Sequence, residues 1–419
     1  MKNRNLFLTI YVLFLLSCYS RPVHPSDEIE IKLEIETEIE IENETEIKKE
    51  KVKKTKTKAE TEANIPVSYS LTFTAVGDNL YHNSMLTSSF SEGVYNFKPI
   101  YTEIKSIVEN SDVAFINQET PMAKSRPFAG FPVFNSPPAL AHDLIDTGFD
   151  VFNLANNHAM DTGAQGLYET LDFLDTLKDI TVIGARRSGE SERIITKNNI
   201  SLGFLAYSFS LNGFKLPANN SNLVSLINRD KMSQEIKALR PLCDFLIVSM
   251  HWGEEYMLEP SKEQIELAQF LAELHVDLII GHHPHVLQRA DTITLPDGRK
   301  TVVYYSLGNL VTHQLEWERL IGGMAVVTFT KETVQSADGE ILTEEKSITS
   351  FGMIPLVTHF DRSFKNTKIY PLYAYTEELL AVHGLRWRPA GPITLNFFNN
   401  VLKRLRVDII TEYPFVEDE

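Results

Sequence analysis

The chain has 419 residues, 43% hydrophobic and 23% charged, with 20 Gly, 19 Pro and 2 Cys. So ordinary an apolar share excludes wholesale disorder, and two cysteines exclude a disulfide scaffold or a Cys-rich zinc module. The net charge of -16 argues against a nucleic-acid partner held by charge neutralisation.

The first 18 residues, MKNRNLFLTIYVLFLLSC, place Lys2 and Arg4 before an apolar run from Leu6 to Leu16. The run is short for a transmembrane helix and suits a secretory signal. Its end, Leu15-Leu16-Ser17-Cys18, resembles a bacterial lipobox, which would make Cys18 the lipidated first residue of the mature protein. A simple signal peptide or an uncleaved anchor are the alternatives. All of these expect the remainder outside the cytoplasm, in the cell envelope. Residues 19–66 change character, to an Ile/Glu alternation followed by a lysine block. Period-two alternation permits a strand, but one face would be nearly all glutamate, so a charged, extended tether is expected.

From Val67, strand-like runs alternate with helical patterns. LTFTAVGDN reads as a strand, FKPIYTEIKSIVENS as one helix over 97–111, and DVAFINQET as a strand entering a loop. PALAHDLIDTG is a helix closed by Gly148, and DVFNLANNH a strand ending in polar residues. GLYETLDFLDTLK, RDKMSQEIKALR and KEQIELAQFLAELH are helical, interleaved with ITVIGA, ISLGFLAYS, DFLIVSMHWG and VDLIIGHHPHV. Such repeated β-then-α units imply an α/β layered domain over 67–330. Beyond Thr301 the pattern becomes β-rich, and 331–419 reads as strands and a helix that complete or cap that domain.

Polar clusters fall at the strand ends: Gly77-Asp78, Asn117-Gln118-Glu119, Asn156-Asn157-His158, His251-Trp252-Gly253 and Gly281-His282-His283-Pro284-His285. Six of the 12 histidines (His82, His158, His251, His282, His283, His285) sit in these loops. Ligands collect at the carboxyl ends of strands in α/β sheets, so the clusters can converge on one site. Anionic oxygen, amide oxygen and imidazole nitrogen without thiolate suit Mn²⁺, Zn²⁺ or Fe. A carboxylate from a neighbouring strand can bridge two such ions about 3.5–4 Å apart. Taken singly, Asp78 reads as a turn former, His251 as a packing histidine and Glu119 as a solvated charge; the constellation is what points to metal.

The ordered motifs G-D (77–78), N-x-E-x-P (117–121), A-N-N-H-x-x-D-x-G (155–163), H-W-G-x-E-Y (251–256), G-x-H-P-H-V (281–286) and S-L-G-N (306–309) resemble the CapA capsule, or poly-γ-glutamate, biosynthesis family of the metallophosphoesterase-like superfamily. The resemblance covers roughly Leu71 to Val311 and implies a four-layered αββα sandwich with a dinuclear metal site; most of the added β-rich and mixed C-terminal part lies outside it. It implies Asp78 and His285 on a first metal, Glu119 as the bridge, and Asn157, His251 and His283 on a second. His158 is similar to the superfamily's histidine that protonates the leaving group or stabilises the transition state, with Asp161 orienting it. Asn117, Trp252, Tyr256 and Asn309 are candidates for substrate contact, although Trp252 and Tyr256 are as readily packing residues. The superfamily's Asp-x-His opening is absent: position 80 is Leu, and His82 lies two residues further on. The resemblance leaves two functions open. One is a metal-dependent hydrolase or transferase acting, with metal-activated water, on an anionic polymer or its precursor. The other is a non-catalytic accessory of capsule assembly that binds polymer or capsule-synthesis membrane proteins.

Overall fold

The computed structural model describes residues 65–187, 193–336, 339–389 and 391–412, with positions 45, 48, 49 and 51. The signal segment, Cys18 and nearly all of the tether lie outside the described residues. No helix among the described residues is long and apolar enough to cross a membrane.

The strands run in order as β1 (Ile65–Asn79), β2 (Phe90–Ser91), β3 (Val94–Tyr95), β4 (Val113–Gln118), β5 (Val151–Asn153), β6 (Thr181–Ile183), β7 (Ile194–Lys197), β8 (Ile200–Ser208), β9 (Phe245–His251), β10 (Leu278–His282), β11 (Ala290–Thr294), β12 (Lys300–Tyr304), β13 (Asn309–Val311), β14 (Ile321–Gln335), β15 (Ile341–His359) and β16 (Lys368–Pro371). One sheet has the order β16-β15-β14-β1-β4-β5-β6, with β13 also on β1; the other has β11-β12-β10-β9-β8-β7. The pairs β1/β4, β4/β5 and β5/β6 are parallel, as are β8/β9, β9/β10 and β10/β12.

Side-chain alternation assembles the layers. Phe73, Phe115 and Val151 of the first sheet meet Phe204, Ile247 and Ile280 of the second in one apolar core. The intervening residues face outward. Ala114, Ile116 and Phe152 pack under the helices Ala139–Thr147 and Gly163–Leu174, while Leu246, Val248 and Ile279 pack under Arg229–Leu239 and Lys262–Glu273. Helix, sheet, sheet, helix is therefore the observed order, the expected αββα sandwich.

Local signals fix the helix ends. Gly148 closes its helix in the left-handed conformation, φ 105°, and Ser261 with Gln264 forms a capping box at the start of Lys262–Glu273. The single helix expected over 97–111 is instead two, Lys98–Tyr101 and Lys105–Glu109. The break lets Ile100, Tyr101, Ile107 and Val108 all reach the core. Strands β7 and β11 have no counterpart in the sequence reading. Each is an antiparallel edge strand with several exposed residues, so its apolar signal is weak.

The chain divides into two compact units: Ser68–Glu332 with Glu344–Glu419, and Met1–Val67 with Thr333–Thr343. In the smaller unit Thr333 Oγ1 donates to the Val67 carbonyl at 3.5 Å, and the Ser336 and Glu340 backbones close a turn.

Candidate metal centre

The same alternation carries polar side chains into the inter-sheet space at the strand ends. Asn117 and Glu119 continue the inward face of Val113 and Phe115; Asn153 continues that of Val151. Ser249 and His251 follow Phe245 and Ile247, and His282 follows Leu278 and Ile280. On β1 a register shift between Val76 and Asp78 turns Asp78 inward, whereas Asn79 bonds outward to Gln118 and Tyr101. The shift needs glycine: a Cβ on Gly77 would lie 1.9 Å from the Gly308 carbonyl oxygen. Gly281 is equally constrained, since its Cβ would meet the Tyr305 oxygen at 2.0 Å.

Asp78, Glu119, Asn157, His251, His283 and His285 are all buried and converge. Asn117 Nδ2 donates to Asp78 Oδ1 at 2.8 Å, and Asn153 Nδ2 donates to Asn117 Oδ1 at 2.9 Å and across the sheets to Ser249 Oγ at 3.2 Å. His251 Nε2 lies 3.0 Å from Asn157 Oδ1 and 3.6 Å from Glu119 Oε1. His285 Nδ1 lies 3.0 Å from both Asp78 Oδ2 and Asn309 Oδ1, two acceptors, so its proton sits on Nδ1. The Nε2 lone pair is then free beside Glu119 Oε1, 3.9 Å away. His283 and His285 both adopt positive φ, 96° and 58°. This bent loop is what brings imidazoles two residues apart to within 5.9 Å of each other.

These groups fit divalent metal. Glu119 Oε1, His251 Nδ1 and His283 Nδ1 are buried with no hydrogen-bond partner, an arrangement that costs free energy unless something else satisfies the atoms. Two donor groups lie within metal-binding reach, Glu119-His283-His285 and Asp78-Glu119-His251, and Glu119 belongs to both. Burial keeps His251 neutral well below its ordinary range and pushes His283 down to about 4, so both present lone pairs at neutral pH. Burial and the adjacent Asp78 push Glu119 well above the usual carboxylate range. Burial opposes ionisation of Asp78 too, but His282 and His285 outweigh it and hold Asp78 low. Without cations Glu119 therefore holds a proton beside an ionised Asp78, and cations would displace it.

His158 lies at the edge of the cluster. Its Nδ1 is 2.8 Å from Asp161 Oδ2, which also accepts the Phe134 amide at 2.7 Å. The Phe134 ring meets His158 edge-on with centroids 4.7 Å apart.

Three of the four expected substrate contacts are placed otherwise. Trp252 faces outward into the second sheet's helical layer, 1% exposed, with Nε1 donating to the Tyr305 carbonyl at 2.9 Å; it is a packing residue. Asn117 and Asn309 are buried and hold Asp78 and His285 respectively. Tyr256 alone is exposed beside the cluster, its ring 6.2 Å from that of His285. Position 80 confirms the departure noted in the motif: Leu80 is buried core, and His82 accepts the His313 amide at 3.4 Å. The sequence reading gave no role to His282, Asn153 or Phe209. His282 stacks on Phe115 and lies 3.5 Å from Asp78; Phe209 lies 4.5 Å from His283. The inward parity of Leu278, Ile280 and His282 was the signal for the first, and that of Val151 and Asn153 for the second; Phe209 had none.

The family described as bacterial capsule synthesis protein PGA_cap matches residues 72–314, more than half of the chain and all of the cluster above. The chain belongs to this family. A Bacillus subtilis relative named PGA biosynthesis protein CapA is 35% identical over 180 residues, 42% of this chain and 46% of the relative. The Bacillus anthracis capsule biosynthesis protein CapA is 33% identical over 186 residues, 42% of each. A probable polyglutamine synthesis accessory protein of Mycobacterium tuberculosis is 28% identical over 206 residues, 44% of this chain and 53% of that one. The chain spans about half the length of these relatives. Among solved structures, a putative 5'-nucleotidase from Staphylococcus aureus aligns at 14% identity over 67% of this chain and 54% of that one, with a TM-score of 0.38, too low to bear on fold or function.

Proposed function

We propose that this capsule-family chain is an envelope protein, lipid-anchored through Cys18, that acts in capsule or poly-γ-glutamate synthesis as a metal-dependent hydrolase or transferase on an anionic polymer or its precursor. The observation that carries the reading is Glu119: buried, unpartnered at Oε1, and common to two groups of donors drawn from both sheets. The signal-like Leu15-Leu16-Ser17-Cys18 supports the anchor, with residues 19–66 as tether, 67–330 as the working domain and 331–419 completing it.

In this reading Asp78, Glu119, Asn157, His251, His283 and His285 hold two divalent ions, Mn, Zn or Fe. Such ions supply Lewis acidity toward an ester or amide oxygen and acidify water. The chain's own residues do the rest. Asp161 accepts the Nδ1 proton of His158 and would stabilise its imidazolium, whose Nε2 proton can pass to the leaving oxygen and leave the ring neutral. Phe134 holds both partners through its amide and ring. Asn309 and Asp78 set the His285 tautomer so that Nε2 faces Glu119.

Metal analysis of the purified chain tests this: near two equivalents are expected, with manganese-stimulated turnover of a generic phosphodiester or of poly-γ-glutamate. His158→Ala should lower turnover by about 10²–10⁴-fold and leave the metal content unchanged. A second reading, a non-catalytic accessory protein, draws on the Mycobacterium tuberculosis relative's name and on Leu80 standing where the superfamily has histidine. Polymer binding that survives chelation, without turnover, would establish it.

A further inference from the structure

The turn that follows β15 and the short helix Gly384–Trp387 meet outside the residues matched by the capsule family. Trp387 is 62% exposed, and Arg362 lies over its ring, 5.4 Å from the centroid. Arg388 lies over Phe364, 4.1 Å from that centroid. Lys365 shares the turn with Arg362, and Arg386 shares the helix with Trp387. Among the described residues none of these four cations has an ion-pair partner. Val382, 60% exposed, ends the preceding helix Glu377–Val382. The display is rigid: Leu385 is fully buried, and His383 joins the Thr358 carbonyl to the Leu385 amide.

The acids of these segments are engaged elsewhere. Asp361 accepts the Ser363 and Lys365 amides at 2.8 and 2.9 Å and Asn366 Nδ2 at 2.9 Å. Glu377 and Glu378 lie in the first turn of their helix, at the end away from Val382, where they complement its N-terminus. Unpaired cations are thus left beside exposed apolar side chains, in a chain of net charge -16. A polycarboxylate would answer the cations and leave Val382 and the indole in water. An anionic bilayer surface answers both, since its phosphates take the cations while indole and aliphatic groups settle at the headgroup boundary.

We infer that this C-terminal face docks on an anionic phospholipid surface. The inference goes beyond the anchor proposed at Cys18 and does not depend on it. Packed rings link the face to the metal centre. Phe364 lies 5.2 Å from His313, whose amide donates to His82 Nδ1 at 3.4 Å, and the His82 ring lies 5.9 Å from Phe134. Docking here would therefore hold the cleft close to the bilayer.

Tryptophan emission of the full chain provides the test, with vesicles of phosphatidylcholine alone or mixed equally with phosphatidylglycerol, each with and without brominated acyl chains. Trp252 and Trp317 are buried, so a blue shift and bromine quenching on the anionic vesicles belong to Trp387, and Trp387→Phe should abolish both. Arg362→Gln with Arg386→Gln should weaken the binding read this way by about 25-fold, or about fivefold per cation. Raising salt to about 1 M should weaken the wild type in the same direction, a check that needs no variant. The apolar run Leu6 to Leu16 can hold the chain on either vesicle, but it does not carry Trp387 to the acyl chains. An unquenched Trp387 on anionic vesicles, or quenching equally strong on phosphatidylcholine and indifferent to both arginines, would overturn the inference. A Trp387 shift produced by a γ-linked glutamate oligomer and not by vesicles would overturn it too, and assign the face to polymer.

Discussion

The molecule has two regions rich in buried histidine, and they are built on opposite principles. Around Glu119, His251 Nδ1, His283 Nδ1 and both nitrogens of His282 have no hydrogen-bond partner. Around the C-terminal helices each buried histidine has at least one hydrogen-bond partner. His313 is held by Ser84 Oγ at 2.7 Å and Thr367 Oγ1 at 2.9 Å. His383 has the Thr358 carbonyl at 3.1 Å and the Leu385 amide at 3.0 Å, and His359 has the Tyr375 hydroxyl at 2.9 Å. Burial is equally deep in both regions, so histidine count and depth do not distinguish a ligand from a core residue. Satisfaction does: an unpartnered buried nitrogen carries a free-energy cost that a cation can relieve.

The largest expected effect comes from Glu119→Gln. It removes the one side chain common to both donor groups, and metal affinity should fall by more than about 100-fold, beyond what an outer partner costs. In the metal-free chain the same substitution should raise Tm by about 2–4 °C, because a neutral amide avoids the cost of keeping a buried carboxyl protonated beside Asp78. Metal-dependent melting curves read both at once. A variant that kept its metal would break the contrast between the two regions.

Asn309→Ala comes next. Losing an acceptor at His285 Nδ1 should weaken metal binding by about 10–100-fold with little loss of fold; competition with a fluorescent chelator measures it. An effect within about twofold would show that Asp78 alone fixes that ring.

The smallest effect tests the satisfied region. Burial pushes His313 down to about 3 and His359 and His383 down to about 4. The unfolded chain takes up these protons near pH 6.5, the folded chain only near 3–4. Their contribution to stability is therefore intact above about pH 6.5 and is lost as pH falls from there toward 4, by about 1.4 kcal/mol per pH unit for each histidine. Denaturant titrations of wild type and His359→Gln at pH 7, 6 and 5 should show the variant's slope lower by one such increment. Equal slopes would mean His359 is not neutral in the fold.

A further cross-link is legible at the opposite strand edge. Burial would raise the Asp244 carboxyl, yet Lys346, the Ser201 amide and Lys331 outweigh it and hold it at about 2. Lys331 and Lys346 lie 3.1 and 2.8 Å from Asp244 Oδ1, so residues of β14 and β15 are tied to the start of β9.

The layer order was written in the chain, since alternating β and α periodicity leaves a strand only two faces, and each apolar parity names its face. Parity also announced two of the six candidate ligands: following Phe115 leads to Asn117 and Glu119, and following Ile247 leads to His251, all in the inter-sheet space. What the chain order could not reveal was partnership. Asp78 faces inward only because a register shift at Gly77 reverses the parity of β1, and that shift depends on Gly308, far along the sequence. Trp252 faces outward although it adjoins the candidate ligand His251, because consecutive residues of an extended chain point to opposite sides. Which nitrogens stay unpartnered, and which aromatic rings stay exposed beside them, follow from contacts between segments as much as 94 and 205 residues apart. Local periodicity sets where a side chain points; only the packed sheets decide what it meets there.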